Sequence, residues 1–307
     1  MVEAHPLPAA LEPHAHEHGL ASGEVAPLAA SVDRAWELFE QVARQADLSA
    51  PSRKQGLDGR AIVAQLGQWE VGRTLADLIA DAHEGDVGYV DADAIDARVV
   101  AATAELDDDT VIGGITAARA AIAEWLAGDG PATWGLVHTS SPLGPLPVLT
   151  VVNAASYQLA IAARDLRPTG VEEPLELLHL GMVAMVDTVG ALAGRAHVTG
   201  SFTAVTPELV VGVGATAGRW RTSVLAEDPR QGPAVHATAP VVLDVTRGRV
   251  NTAALYRSGD LRVHDLPGLI RLAPVLEGVP GMPPVGAIGR ALQLVDAVGG
   301  LFGRLRR

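Results

Sequence analysis

Apolar positions recur at helical spacing over roughly the first 195 residues of this chain and then switch to alternation. Trp36, Phe39 and Val42 fall at three-residue steps, with Leu38 one turn before Val42, so a helix is expected from Ser31, itself a suitable N-cap. Ser49–Ser52 and Gly56 mark a loop. Asp58 then caps a second helix with Ile62, Leu66 and Trp69 on one face, followed by Leu75, Leu78 and Ile79. A third helix opens near Asp91, with Ile95, Val99 and Ala102 inward. Asp107–Asp109 break it and place negative charge at the start of the next helix, roughly 110–127, where the helix dipole favours it. That fourth helix carries Ile115, Ala118, Ile122 and Leu126 and stops at Gly128. A long loop holding Trp134 and His138 leads to a fifth helix over about 148–166, and a further one spans 174–195 with Leu178, Met182, Met185, Val189 and Leu192 as its stripe. Helices joined in this way make an antiparallel bundle.

Past Gly200 the segments SFTAV, LVVGVG and RWRTSVL are short, β-branched and alternating, with turn residues between them. PVVLDVTRG reads as a short helix, DLRVHDL as a last strand and PGLIRLAPVLEG as a closing helix. GVGATAG (212–218) has the glycines of a phosphate loop but lies among strands and lacks the helix such a loop requires. The pattern predicts an α+β protein: a leader over 1–27, a helical bundle over 28–170, a small α/β domain over 171–282, and an apolar helix over 283–307 that ends in Arg304, Arg306 and Arg307.

Composition narrows the function classes. A net charge of −13 argues against a nucleic-acid surface, which needs a basic patch to neutralise phosphates. Lys54 is the sole lysine, and the chain has no cysteine, so a thiol-dependent reaction here would take its sulfur from a cofactor. No uninterrupted apolar run reaches 18 residues and the N-terminus lacks a cationic, then apolar, signal pattern, so a cytoplasmic location is expected. The oligomeric state is not readable from the chain.

Two segments carry the chemical information: LDGRAIVAQLGQWEVG (57–72) and SSPLGPLPVLTVVNAASYQLAIAARDL (140–166). Together they resemble the helical domain of the mycothiol-dependent maleylpyruvate isomerase family, a branch of the DinB-like four-helix bundles. The stretch SGDLRVHDLPGLIRL (258–272) is similar to the sterol-carrier-protein-2-like domain that follows the bundle in many members. The resemblance implies a divalent metal held by two histidines and a glutamate, which orients the thiol of mycothiol. At the matching positions this chain has Gln65, Gln158 and Ala162, with Trp69, Glu70 and Asp165 nearby as in the family. Two amide oxygens and a methyl group are weak substitutes for imidazoles and a carboxylate, so a divalent metal at this site is not expected.

The expectation is therefore a metal-free relative that binds a small-molecule or lipidic ligand in the bundle cavity or the second domain. The alternative is an active mycothiol-dependent isomerase or transferase with a shifted metal site, to which His138 and Asp165 would be recruited. Gln65 and Gln158, facing inward, would bond each other or meet a ligand. His14, His16 and His18 alternate in the leader, a spacing that can chelate a transition metal in an extended strand. The C-terminal segment has the make-up of a helix that rests on an anionic membrane, caps the protein's own core or meets a partner.

Overall fold

The computed structural model describes residues 17–229, 232–272 and 275. His14, His16 and the segment 283–307 lie outside the described residues. In chain order the helices before the sheet are α1 (Val25–Gln45), α2 (Gly59–Ala64), α3 (Leu75–Glu84), α4 (Ala92–Thr103), α5 (Asp108–Ala127), α6 (Gly130–Trp134), α7 (Val148–Asp165) and α8 (Leu175–Arg195). A two-stranded ladder of β1 (His138–Thr139) and β2 (Leu146–Pro147) sits between α6 and α7. The remainder comprises β3 (Gly200–Val205), β4 (Val210–Thr216), β5 (Arg219–Leu225), β6 (Ala234–His236), α9 (Ala239–Thr246), α10 (Thr252–Ser258), β7 (Arg262–His264) and α11 (Leu266–Arg271). The fold class is α+β, as the hydrophobic pattern predicts.

Side-chain caps set several helix starts. Asp58 accepts from Ala61 N at 2.8 Å, Asp91 from Ala94 N at 3.0 Å and Asp107 from Thr110 N at 2.7 Å. Two boundaries differ from expectation. Leu75–Ile79 do not continue α2; they open α3 behind a reciprocal capping box between Thr74 and Asp77. The break arises because the chain folds back after Ala64, and Trp69 Nε1 donates to Ala64 O at 2.8 Å. The indole rests on Gly67 and on Gly114 of α5, where an added Cβ would come within 2.6 and 2.5 Å of the ring. The second difference is at the N-terminus. Residues 17–27 are folded: Gly19–Ser22 form a 3-10 turn, and α1 starts at Val25, not at Ser31.

α7 and α8 form the spine. An added Cβ at Gly181 would stand 2.5 Å from Ala160 Cβ, so small residues let the two backbones approach closely. α1 packs on α5, α7 and α8 to build the helical core around Phe39, Ile115, Leu159 and Met182. α8 is apolar nearly all round, as a helix covered on every side must be. By length and composition it passes as a membrane span, but here it is buried. Its far side covers the five-stranded sheet, whose order is β5-β4-β3-β6-β7. β3 and β6 run parallel and the other pairs antiparallel. Val211, Val213 and Ala215 of β4 and Trp220 and Thr222 of β5 are buried in period-two register.

A buried ionic joint ties α7 to α9. Arg164, 3% exposed, donates through Nε and Nη2 to Asp244 at 3.1 and 2.6 Å and through Nη1 to Glu173 at 2.6 Å. Arg53 reaches the same Asp244 carboxylate at 3.2 and 3.0 Å. Burial works to raise the Asp244 carboxyl, but hydrogen bonds from Arg164 and then Arg53 outweigh it and hold the group below its ordinary 3.8. Asp244→Ala should cost about 3 kcal/mol in chemical denaturation, because it strands buried guanidinium charge. Since the folded-state value is depressed, the Asp244 contribution is complete above 3.8 and fades as pH falls through the depressed value. A denaturation midpoint that does not move on substitution would show the two arginines to be solvated instead.

Candidate functional site

The residues singled out by sequence divide into two groups. The first lies along a run of neighbouring helices, α4 beside α2, α2 beside α7 and α7 beside α9. Gln65 is the C-cap of α2 and is half-buried. Its carboxamide does not pair with Gln158. Instead Lys54, from the loop before α2, donates through Nζ to Gln65 Oε1 at 3.5 Å and stands 3.8 Å from Asp96 Oδ2 on α4. Burial is the largest influence on the Asp96 carboxyl and pushes it up; Lys54 opposes this, the nearby Asp93 adds to it, and Arg247 at the end of α9 opposes it again. Charges from both halves of the chain thus converge on one acid.

On α7, Tyr157 OH shares a 2.8 Å hydrogen bond with Thr246 Oγ1. Burial raises the phenol, while that bond and the charges of Arg247 and Arg249 pull it back. Gln158 is exposed, so the condition under which it would meet Gln65 inside the bundle is not fulfilled, and Ala162 one turn later is buried at 6% exposure. Asp165 is buried and engaged in a two-pronged pair with Arg249, with Nη2 2.8 Å from Oδ2. Trp69 is the half-buried plug between α2 and α5 described above, and Glu70 beside it is exposed.

The second group surrounds the N-terminal turn. His138 lies on β1 with much of its residue surface exposed. Partial desolvation, and then the charges of His18 and Arg195, push its imidazole below the ordinary 6.5. His18 packs edge-on against the Trp220 indole, with centroids 5.3 Å apart. His138 is thus linked to His18 and Arg195; no hydrogen bond or ion pair joins it to Gln65 or Asp165 among the described residues. His236 and His264 lie on the adjacent strands β6 and β7 with ring centroids 4.6 Å apart. Among the described residues no group of three His, Cys, Asp or Glu side chains is arranged to hold a metal ion. An open groove of about 550 Å³ between α1, α5 and α6 is lined by Ala29, Asp33, Ala123 and Leu126 and contains none of the residues singled out by sequence.

Sequence reasoning missed the Lys54–Asp96 pair. The available signal was the singularity of Lys54, which reads as a compositional bias until the fold places it beside Gln65. Asp96 is hidden among the acids of α4, where only burial distinguishes it from Asp93.

No protein-family model matches the sequence, and no curated relative matches it. Among solved structures, the fold is similar to the crystal structure of the mycothiol-dependent maleylpyruvate isomerase, with a TM-score of 0.48 and 12% identity over 81% of this chain and 96% of that one. A smaller similarity, to a UbiJ-SCP2 ubiquinone synthesis protein, has a TM-score of 0.24 and 18% identity and covers 32% of this chain and 92% of that one.

The arrangement around Asp96 makes a signed prediction. Lys54→Met should move the Asp96 titration midpoint upward, and Asp93→Asn should move it downward, as read from side-chain carboxyl carbon chemical shifts. Opposite or absent movement would remove Lys54 from the set of groups acting on Asp96.

Proposed function

We propose that this protein is a metal-independent relative of the mycothiol-dependent maleylpyruvate isomerases, and that it binds a small-molecule or lipidic ligand at the wall formed by Lys54, Gln65, Asp96 and Tyr157. One observation carries the reading: the Lys54 ammonium occupies the amide oxygen of Gln65. A divalent cation at about 4 Å from that ammonium would be repelled by several kcal/mol even at surface-like screening. The other two positions add no donor set to offset this, since Gln158 is exposed and Ala162 ends in a methyl group. The side chains present therefore do not fit the metal that the resemblance implies, and no reaction step is routed through it.

What these side chains offer a ligand is hydrogen bonding and charge. Lys54 and Arg247 are cations that share the single Asp96, so a ligand with an acidic or acceptor group finds positive charge there. Gln65 and Tyr157 carry polar atoms whose present partners are a lysine and a threonine, both of which can turn toward a bound molecule. A lipid whose head sits at this wall and whose chains lie along the sheet domain is within the same reading.

Metal analysis of protein purified without a histidine tag should find zinc well below one equivalent. Stoichiometric zinc that survives deletion of residues 1–16 would sink the proposal and favour an active enzyme with a displaced site. The combined variant Gln65→His, Gln158→Glu, Ala162→His with Lys54→Met should gain zinc binding, and the same variant retaining Lys54 should bind it more weakly. Native mass spectrometry of the unaltered protein should show a co-purifying small molecule or acyl lipid; a clean unliganded spectrum from several expression hosts would count against the ligand.

A further inference from the structure

α8 packs on one face of the five-stranded sheet: an added Cβ at Gly190 would lie 2.5 Å from both Val213 Cγ2 and Trp220 Cδ1. Side chains alternate along a strand, so Val211, Val213 and Ala215 of β4 look toward α8, and Val210, Gly212 and Gly214 look away. An added Cβ at Gly214 would meet nothing within 4 Å, so this outer face is open there. Strand pairing carries the same face across the sheet. Val210 is level with Val205 of β3, and Val205 with His236 of β6. Gly212 is level with Thr203, Thr203 with Ala234, and Ala234 with His264 of β7. His236 and His264 therefore stand on the outer face as diagonal neighbours on adjacent strands. His264 is exposed and His236 half-buried, so both rings can be reached from solvent.

The separation of the two rings is informative. Their centroids are 4.6 Å apart and their planes meet at 61°. A metal–nitrogen bond of about 2.1 Å puts an ion about 3.2 Å from an imidazole centroid, so two rings that share one ion at about 90–110° have centroids roughly 4.6–5.2 Å apart. The pair is thus already at the spacing that a shared ion requires. Asp228 Oδ2 lies 3.8 Å from His236 Nδ1. A carboxylate on that side favours the proton on Nδ1 and leaves Nε2 with its lone pair, the arrangement that commonly orients metal-ligating histidines. Burial is the largest influence on the His236 imidazole and lowers it below 6.5; Asp228 opposes this, and His264 and Arg262 add to it. The neutral imidazole is the form that binds metal. Arg262, level with His236 on β7, works against a cation here, but it is exposed and its charge is screened by solvent.

We propose that His236 and His264 chelate a divalent ion of the zinc, nickel or copper class on the outer face of the sheet. Imidazole nitrogen selects these ions over magnesium and calcium, which take oxygen ligands. Two protein ligands leave the remaining positions to water or to an acidic group of another molecule. An ion held in this way exchanges with solvent and is lost in purification, so the site adds no resident zinc to the isolated protein. It shares no residue with the wall formed by Lys54, Gln65, Asp96 and Tyr157, and the two readings stand or fall separately.

The probe is the zinc ion, added to the full, untagged chain. His5→Asn, His14→Asn and His16→Asn together remove the imidazoles near the N-terminus that would compete for it. Calorimetric titration of that protein should show one saturable equivalent of zinc. Adding His236→Asn or His264→Asn should weaken binding at least about tenfold, because a chelate loses one of its two nitrogens. Both positions reach the surface, so the denaturation midpoint should stay near that of the parent. Arg262→Gln should strengthen binding about threefold by removing a nearby positive charge. In nuclear magnetic resonance, the ring Cε1–Hε1 signals of His236 and His264 should move together on zinc addition and stay still with magnesium. Absence of saturable zinc binding would overturn the proposal, as would full-strength binding by a folded His236→Asn, His264→Asn double variant. Movement of only one of the two ring signals would overturn chelation by the pair.

Discussion

The close approach of α7 to α8 is the constraint on which the remaining structure depends. It is possible because Gly181 offers no Cβ to Ala160, so the two helices meet almost backbone to backbone. Two long helices held this tightly behave as one rigid body, and every polar group discussed above hangs from one of them or is positioned by an element packed on them. α7 presents Tyr157, Arg164 and Asp165 toward α9 and its following loop and Asn153 toward α8. α8 presents Asp187 to the sheet and to the N-terminal turn. A change in the α7–α8 distance would therefore disturb both polar regions together.

The joint between α7 and α9 is made of charge. Arg164 and Asp244 are both desolvated, and neither is tolerable without the other. Such a pair adds little net stability compared with well-packed apolar side chains, but it is demanding about geometry. The guanidinium of Arg164 is flanked by two acids, Asp244 and Glu173, and the Asp244 carboxylate by two guanidiniums, Arg164 and Arg53. This alternation fixes where α9 can sit on α7, and so it fixes where Arg247, in the turn directly after α9, projects relative to Asp96 and Tyr157. The electrostatics of the candidate site are in that sense set by a joint outside it.

How much of this was legible in the sequence depended on range. Helix starts were readable where a short polar side chain caps its own turn, as at Asp58, Asp91 and Asp107, because the signal lies within three residues. The stripes of α1 and α5 were readable because burial repeats with the helical period. The break between α2 and α3 was not, since it depends on Trp69 finding a seat on Gly114 in another helix. The folded turn at Gly19–Ser22 was hidden for the same reason: its partners, Asp187 and Trp220, are far along the chain. At the site, the identities of residues 65, 158 and 162 were plain from the aligned segments. What stands beside them was not, and a loop lysine became meaningful only through its distances to Gln65 and Asp96.

That lysine bears on how this bundle treats a half-buried acid. A carboxylate removed from water needs a cation nearby, or it is driven toward its neutral form. A bound metal is one way to supply that cation; a tethered ammonium is another, and it is always present at fixed stoichiometry. Lys54 faces Asp96 at 3.8 Å, outside ideal hydrogen-bonding contact, and the charge of Arg247 also acts on it. Two cations thus act on the acid without outweighing its desolvation, neither of them committed to it by a short, geometrically exclusive bond. In contrast to Asp244, which is saturated by guanidinium donors, Asp96 keeps lone pairs and its cations keep protons for another molecule. The difference between the two acids is the physical reason for proposing a ligand at Lys54 and a structural role for Arg164.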